Sequence, residues 1–136
     1  MNILIIDGQS GRLGAQVIEA LREAELSEND RLYAVGTNAI ATGAMLKAGA
    51  DGGATGENSV RVMAKRADII VGPIGIVLAD SLMGEITPEM AVSVGQSDAV
   101  KVLLPVNKCQ TIIIGTQQKT RVQLVEEAIR QIKALL

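Results

Sequence analysis

Apolar and polar positions along the chain follow two alternating patterns, one typical of buried strands and one typical of amphipathic helices. Residues 2–6 form a short, largely apolar run that ends at Asp7 and Gly8, as expected of a strand covered on both faces. Beyond it, apolar residues recur at helical spacing: Leu13, Val17, Ile18 and Leu21. The first 24 residues therefore predict one strand–loop–helix unit.

The same alternation continues along the rest of the chain. Further strands are predicted at residues 31–35, 51–55, 67–75 and 101–106. Further helices are predicted at residues 40–48, around 60–67, from 87 onward and from about 119 to the end. The alternation at Val60 and Val62 is also compatible with a strand, and residues 76–83 are compatible with a further helix. Strands that alternate with helices predict an α/β fold, Rossmann-like and doubly wound, with a mostly parallel sheet. No linker interrupts the pattern, so residues 1–136 are expected to form one domain.

One edge of the sheet is expected to be antiparallel. Residues 111–115 read as a strand, and only the four residues "NKCQ" separate them from the strand at 101–106. A parallel crossover needs a dozen residues or more, so the two segments predict an antiparallel edge hairpin.

Composition and charge restrict the partners. The 13 basic and 15 acidic residues give no basic field, which argues against nucleic acid as a partner. One cysteine excludes an internal disulfide, and without histidine the usual zinc ligand sets cannot form, so no metal site is predicted. No apolar stretch reaches the roughly 20 residues of a membrane span, and the first residues enter a strand rather than a signal sequence. A cytoplasmic protein with no membrane partner is expected.

The strongest chemical signal is the stretch "IDGQSGRLGAQ". Its glycines have the spacing G-x-x-G-x-x-G, and the loop follows the first strand and opens the first helix, where N–H groups and the helix dipole favour a phosphate. This form resembles the cofactor loop of the extended short-chain dehydrogenases, but their Tyr-x-x-x-Lys pair is absent, because Thr37 stands four residues after Tyr33. Gly11 is expected to let a phosphate approach the backbone and to be replaceable with little loss of fold. The candidate loop residues are Gly8, Gln9, Ser10, Gly11, Arg12 and Gly14.

The second part of a dinucleotide fingerprint, an acid about 20 residues on, is missing. At the end of the second strand stand Gly36, Thr37 and Asn38 instead, which could serve a 2′-phosphate, another nucleotide or only a helix cap. Gly72 and Gly75 lie in the glycine-rich loop that ends the fourth predicted strand, and ligands of open α/β sheets bind outside such carboxyl ends. The candidate ligand is a nucleotide or another phosphate compound, with NAD(P) among the candidates.

The residues suited to catalysis are few, so the sequence leaves open whether the protein is an enzyme. Asp7 either orders the loop by accepting its N–H groups or assists a bound magnesium ion. Cys109, beside Lys108, is either an activated thiol or a small apolar side chain. Asp80 and Glu85 could reach a ligand near the fourth strand, although capping or solvation also explains them.

Two blocks, "GTNAIATGAMLKAGAD" and "GPIGIVLADSLMGEITP", together with "IDGQSGRLG", carry a family resemblance. Over residues 2–115 the chain resembles a bacterial family of short Rossmann-like proteins described as a domain of unknown function. The resemblance implies a small cytoplasmic α/β protein and no established activity.

Two functions are compatible with these patterns. The first is binding of a nucleotide or dinucleotide phosphate at the glycine-rich loop. The alternative is a regulatory or scaffold protein that keeps the fold without catalysis and forms a homodimer or protein complexes through the edge hairpin or the last helix.

Overall fold

The computed structural model describes residues 1–106, 108 and 110–136 of the chain. Its strands are β1 (Asn2–Asp7), β2 (Arg31–Gly36), β3 (Gly52–Thr55), β4 (Ile69–Pro73) and β5 (Val100–Leu104). Its α-helices are α1 (Arg12–Glu23), α2 (Ala39–Lys47), α3 (Glu57–Ala64), α4 (Pro88–Gln96) and α5 (Arg121–Leu135). A short 3-10 helix, Ile74–Val77, directly follows β4.

The strands form one sheet in the order β3-β2-β1-β4-β5, and every strand pair in the described part of the chain is parallel. This is the strand order of the first five strands of a doubly wound dinucleotide fold. The chain leaves β1 toward β2 and later returns to β4 on the other side of β1. The gap between the carboxyl ends of β1 and β4 is therefore the topological switch point, where such sheets bind ligands.

Aliphatic side chains cover both faces of the sheet. On one face α1, α2 and α5 contribute buried residues, including Ile18, Met45 and Ile132. On the other face α3 and α4 contribute Val60 and Val94, among others. Among the described residues, no helix combines the length and apolar character needed to cross a membrane.

The predicted antiparallel edge hairpin is wrong. β5 pairs parallel with β4 along its length, and residues 111–115 form no strand. The spacing argument holds only if both segments are strands, and in the described part of the chain residues 112–114 belong to no strand. Ile112 and Ile114 are instead 86% and 90% exposed. β-propensity without a neighbouring strand does not fix a strand, because the preference reflects packing against cross-strand neighbours.

Gly11 has a packing role that its motif does not reveal. Its φ of 72° lies in the left-handed region, and a Cβ at this position would come within 2.6 Å of the Cα of Ala41 in α2. The start of α1 therefore packs directly on the backbone of α2. The expectation that Gly11 can be replaced with little loss of fold is wrong.

We predict that Gly11→Ala lowers the free energy of unfolding by about 2 kcal/mol or more, because it adds both backbone strain and a clash with backbone atoms. Gly43→Ala is the matched control, since Gly43 lies inside α2 with open space around its Cα. That change is expected to stabilise the protein by about 0.5–1 kcal/mol. Urea unfolding of both variants checks this, and equal effects of the two changes would contradict the packing argument.

Candidate functional site

The loop between β1 and α1 is a tight turn at the switch point. The Gly11 N–H donates to the Gly8 carbonyl at 2.9 Å, and Gln9 has left-handed backbone geometry with φ 50°. α1 starts at Arg12, and in the described structure neither a side-chain cap nor an acidic residue occupies its first turn. In the described structure, the Gly14 N–H of this turn bonds to the carboxylate of Asp7, and the Arg12 N–H bonds to the hydroxyl of Ser10.

Asp7, the last residue of β1, connects this loop to the start of α1 through two hydrogen bonds. Its side chain is buried, with 6% of the residue exposed, and its two oxygens accept the N–H groups of Gly8 and Gly14, each at 2.8 Å. Burial raises the pKa of Asp7, while the two backbone hydrogen bonds and the nearby Arg121 guanidinium act in the opposite direction. These bonds match the loop-ordering role considered from the sequence.

Glu85 joins the loop to the end of β2. It lies in the segment between the 3-10 helix and α4. Its Oε2 accepts the Gln9 N–H at 2.6 Å and the Thr37 hydroxyl at 2.9 Å. Its Oε1 accepts the side-chain amide of Asn38 at 3.0 Å. One carboxylate from a distant segment therefore takes donors from both candidate stretches.

Asn38 has two structural roles. Its Oδ1 accepts the Ala41 N–H at 2.9 Å, which confirms the helix cap among the alternatives for this stretch. Its amide nitrogen also donates to the Gln9 carbonyl at 3.0 Å and to Glu85. The cap of α2 therefore also holds the loop after β1 in place.

The glycines of the candidate site differ in what a Cβ atom would contact. At four of them a Cβ would clash with packed neighbours: Gly14 with Met45, Gly36 with Thr42, Gly72 with the Ile6 carbonyl and Gly75 with Ser81. Gly8 differs, since a Cβ there would meet the ends of the Glu85 and Thr37 side chains. The structure thus brings Gly8, Gln9, Thr37 and Asn38 together around Glu85, and does not bring Gly72 and Gly75 into that group.

Two guanidinium groups belong to the helices that start at this edge. Arg12, at the start of α1, and Arg121, at the start of α5, are both exposed. In the described part of the chain, no side-chain hydrogen bond or ion pair involves either group. The positive charge of Arg121 acts against the burial that raises the pKa of Asp7. Sequence reasoning missed Arg121, because the first residue of a remote amphipathic helix carries no local signal of a site.

Within the described part of the chain, no side-chain hydrogen bond joins Asp80 to this group. Asp80 has left-handed backbone geometry, with φ 64°, and Cys109 lies outside the described residues. Ser10 stays on the exposed side of the loop, where its hydroxyl accepts the Arg12 N–H at 3.4 Å.

A cavity of 530 Å³ lies beside β5 and α5, away from the loop. Its size is in the range of small-molecule pockets, and its lining mixes apolar with a few polar side chains, including Ile74, Leu104, Leu124, Thr116 and Gln131. Ile74 follows β4 directly, so one end of the cavity reaches the carboxyl edge of the sheet.

The raised pKa of Asp7 predicts a definite pH dependence of stability. Between the ordinary value of 3.8 and the raised value, the folded state binds more protons than the unfolded state. The stability that Asp7 contributes therefore falls as pH rises through this window and is constant above it. We expect the difference in unfolding free energy between the wild type and Asp7→Asn to fall in the same window. Carbon-13 NMR titration of the Asp7 carboxyl measures the pKa directly, and a difference that grows with pH would contradict the assignment.

Comparison with known proteins places the chain in a family. No curated protein matches it. Among solved structures it is similar to a dodecameric FMN-dependent UbiX-like decarboxylase from Escherichia coli O157:H7, with 15% identity over 99% of this chain and 93% of that chain and a TM-score of 0.47. That likeness is too distant to bear on ligand or assembly. A family model matches residues 2–136. The chain belongs to the family described as a domain of unknown function, DUF3842.

Proposed function

We propose that the protein binds a nucleotide or dinucleotide through a phosphate at the start of α1, in the crevice between β1 and β4. The observation that carries the proposal is the position of the first turn of α1 at the switch point. In the described structure this turn contains no acidic residue of its own, its N-cap Gly11 supplies no side-chain hydrogen bond, and it begins at the exposed Arg12, while the buried Asp7 accepts the Gly14 N–H.

A phosphate fits this position electrostatically. The free N–H groups and dipole of a helix N-terminus attract an anion, and a guanidinium binds phosphate oxygens in a bidentate manner. Arg12 and Arg121 both supply such groups. Asp7 and Glu85 are the nearby charges that would repel a phosphate. The Asp7 carboxylate is buried and already accepts the N–H groups of Gly8 and Gly14, and these two bonds order the loop that would hold the phosphate.

The remainder of the nucleotide would extend along the carboxyl edge of the sheet, toward the end of β2. The end of β2 lies beside the loop, since the Thr37 N–H donates to the Asp7 carbonyl at 3.0 Å. A ligand that starts at α1 and extends over Gly8 therefore reaches Thr37 and Asn38. This is the path of an adenosine half in doubly wound folds.

We expect NAD, NADP, AMP, ATP or coenzyme A to raise the melting temperature of the protein, with and without magnesium, because a ligand at 100 times its Kd stabilises by about 2.7 kcal/mol. For the ligand that binds, Arg12→Gln and Arg121→Gln should each weaken binding about tenfold, since each removes a charge-assisted contact to phosphate. Calorimetric titration measures the affinities.

Arg130→Gln is the matched control for these variants. Arg130 is exposed near the other end of α5, so its loss should leave the affinity unchanged. No response to any of the five compounds, or equal losses in all three variants, would count against a phosphate site at α1.

A second candidate function is self-association as a scaffold protein. It is favoured by the surface at the β5 edge of the sheet, which is separate from the start of α1. β5 is an edge strand, and the following segment exposes Ile112 and Ile114 almost completely, while Val100 at the start of β5 is 48% exposed. Exposed apolar side chains beside an open strand edge are typical of protein contacts. We propose that a homodimer, if formed, uses this edge.

The oligomeric state tests this second function. Light scattering coupled to gel filtration should show a dimer that Ile112→Ser with Ile114→Ser converts to monomer, because the change removes apolar area from the contact. Val62→Ser, an exposed position on α3, is the control and should leave the dimer intact. A wild type that is monomeric at all concentrations would exclude the scaffold function in this form.

A further inference from the structure

The end of β2 lacks the acidic residue of a dinucleotide fold, but the folded chain places a carboxylate there. In such folds an Asp or Glu at the end of the second strand accepts a ribose hydroxyl. Here Thr37 and Asn38 follow β2, and both donate hydrogen bonds to Glu85. The same carboxylate also accepts the loop N–H of Gln9. Glu85 thus lies between the loop that we propose binds phosphate and the end of β2.

The Glu85 carboxylate retains capacity for one more donor. An ionised carboxylate accepts about four hydrogen bonds. From the described residues Glu85 accepts three, two at Oε2 and one at Oε1. The residue is only partly buried, so the remaining acceptor position on Oε1 is within reach of a ligand.

The backbone holds Glu85 in this place. Three non-glycine residues just before it have left-handed geometry, with φ of 64°, 55° and 57°: Asp80, Leu82 and Met83. The segment is fixed by the hydroxyl of Ser81, which donates to the Gly75 carbonyl, and by the buried side chain of Leu82. Such strain persists where the surroundings impose it and is found at ligand sites. Glu85 has three hydrogen bonds and a fixed backbone. A ligand that displaced its side chain would break these bonds, whereas a ligand that donates to the carboxylate would keep them.

We propose that Glu85 is a specificity-determining residue that accepts a ribose hydroxyl of the bound nucleotide and excludes a nucleotide with a 2′-phosphate. This inference rests on the proposed function, since it requires a nucleotide in the crevice. A hydroxyl supplies the missing fourth donor, whereas a 2′-phosphate brings a second anion against the carboxylate. The ligand class is a ribonucleotide with a free ribose 2′-hydroxyl.

Two pairs of probes that differ only in the 2′-phosphate test this selectivity. They are AMP with adenosine 2′,5′-bisphosphate, and NAD with NADP. By calorimetric titration, we expect the wild type to bind AMP and NAD about tenfold more tightly than their 2′-phosphorylated partners. Glu85→Gln keeps the size of the side chain but removes its charge. It should weaken binding of AMP and NAD about tenfold and bring the ratio within each pair to about one.

Two further variants separate the role of the carboxylate from general loosening of the site. Thr37→Val removes one hydrogen bond that orients Glu85 and should lower the ratio partly. Glu19→Gln removes an exposed carboxylate from the outer side of α1 and should change neither affinity nor ratio. The ratio is decisive, because loosening of the site weakens both members of a pair equally.

The outcomes distinguish this inference from the function on which it rests. If a nucleotide binds and Glu85→Gln leaves the ratio unchanged, the role of Glu85 is overturned and the phosphate site stands. If Glu85→Gln tightens both members of a pair, Glu85 occupies the phosphate position and the inference is again overturned. If no probe binds the wild type or the variants, the proposed function itself fails.

Discussion

The buried carboxylate of Asp7 fixes the connection between β1 and α1, on which the other contacts at the carboxyl edge of the sheet are built. A carboxylate removed from water must be hydrogen-bonded, and the donors within reach are the N–H groups of the loop and of the first turn of α1. Because one oxygen binds Gly8 and the other binds Gly14, the strand end and the helix start are tied at two points. That constraint fixes the turn at Gln9 and directs the N-terminus of α1 toward the switch point.

Close packing without aromatic side chains completes the arrangement. The chain has one tyrosine and no phenylalanine or tryptophan, so aliphatic residues fill both layers between the sheet and the helices. Glycine at several crossings lets backbone approach backbone, as where Gly11 meets Ala41 and where Gly72 meets the Ile6 carbonyl. Glycine loses more conformational freedom on folding than any other residue, so each of these glycines lowers the free energy of unfolding. The close packing of α1 on α2 nevertheless requires glycine at position 11.

The edge then becomes a connected polar surface rather than a set of separate loops. Asn38 caps α2 and also binds the Gln9 carbonyl, so α2 and the loop after β1 cannot move independently. Glu85 adds a third segment to the same group through its bonds to Gln9, Thr37 and Asn38. A ligand at α1 would therefore contact a surface that is already ordered, which lowers the entropic cost of binding.

The sequence by itself determined the alternation of strands and helices, the position of the loop after β1 and the start of α4 at Thr87 and Pro88, because periodicity and capping are local properties of the chain. It did not determine the fate of residues 111–115, since a β-branched run becomes a strand only where a neighbour pairs with it. It also did not reveal that Glu85 reaches the end of β2 or that Arg121 approaches Asp7. Those placements depend on how distant segments meet across the sheet, and the left-handed backbone before Glu85 has no periodic signature. Local pattern predicted the helices and the five parallel strands, whereas long-range packing decided that residues 111–115 are not a strand and which charges share the site.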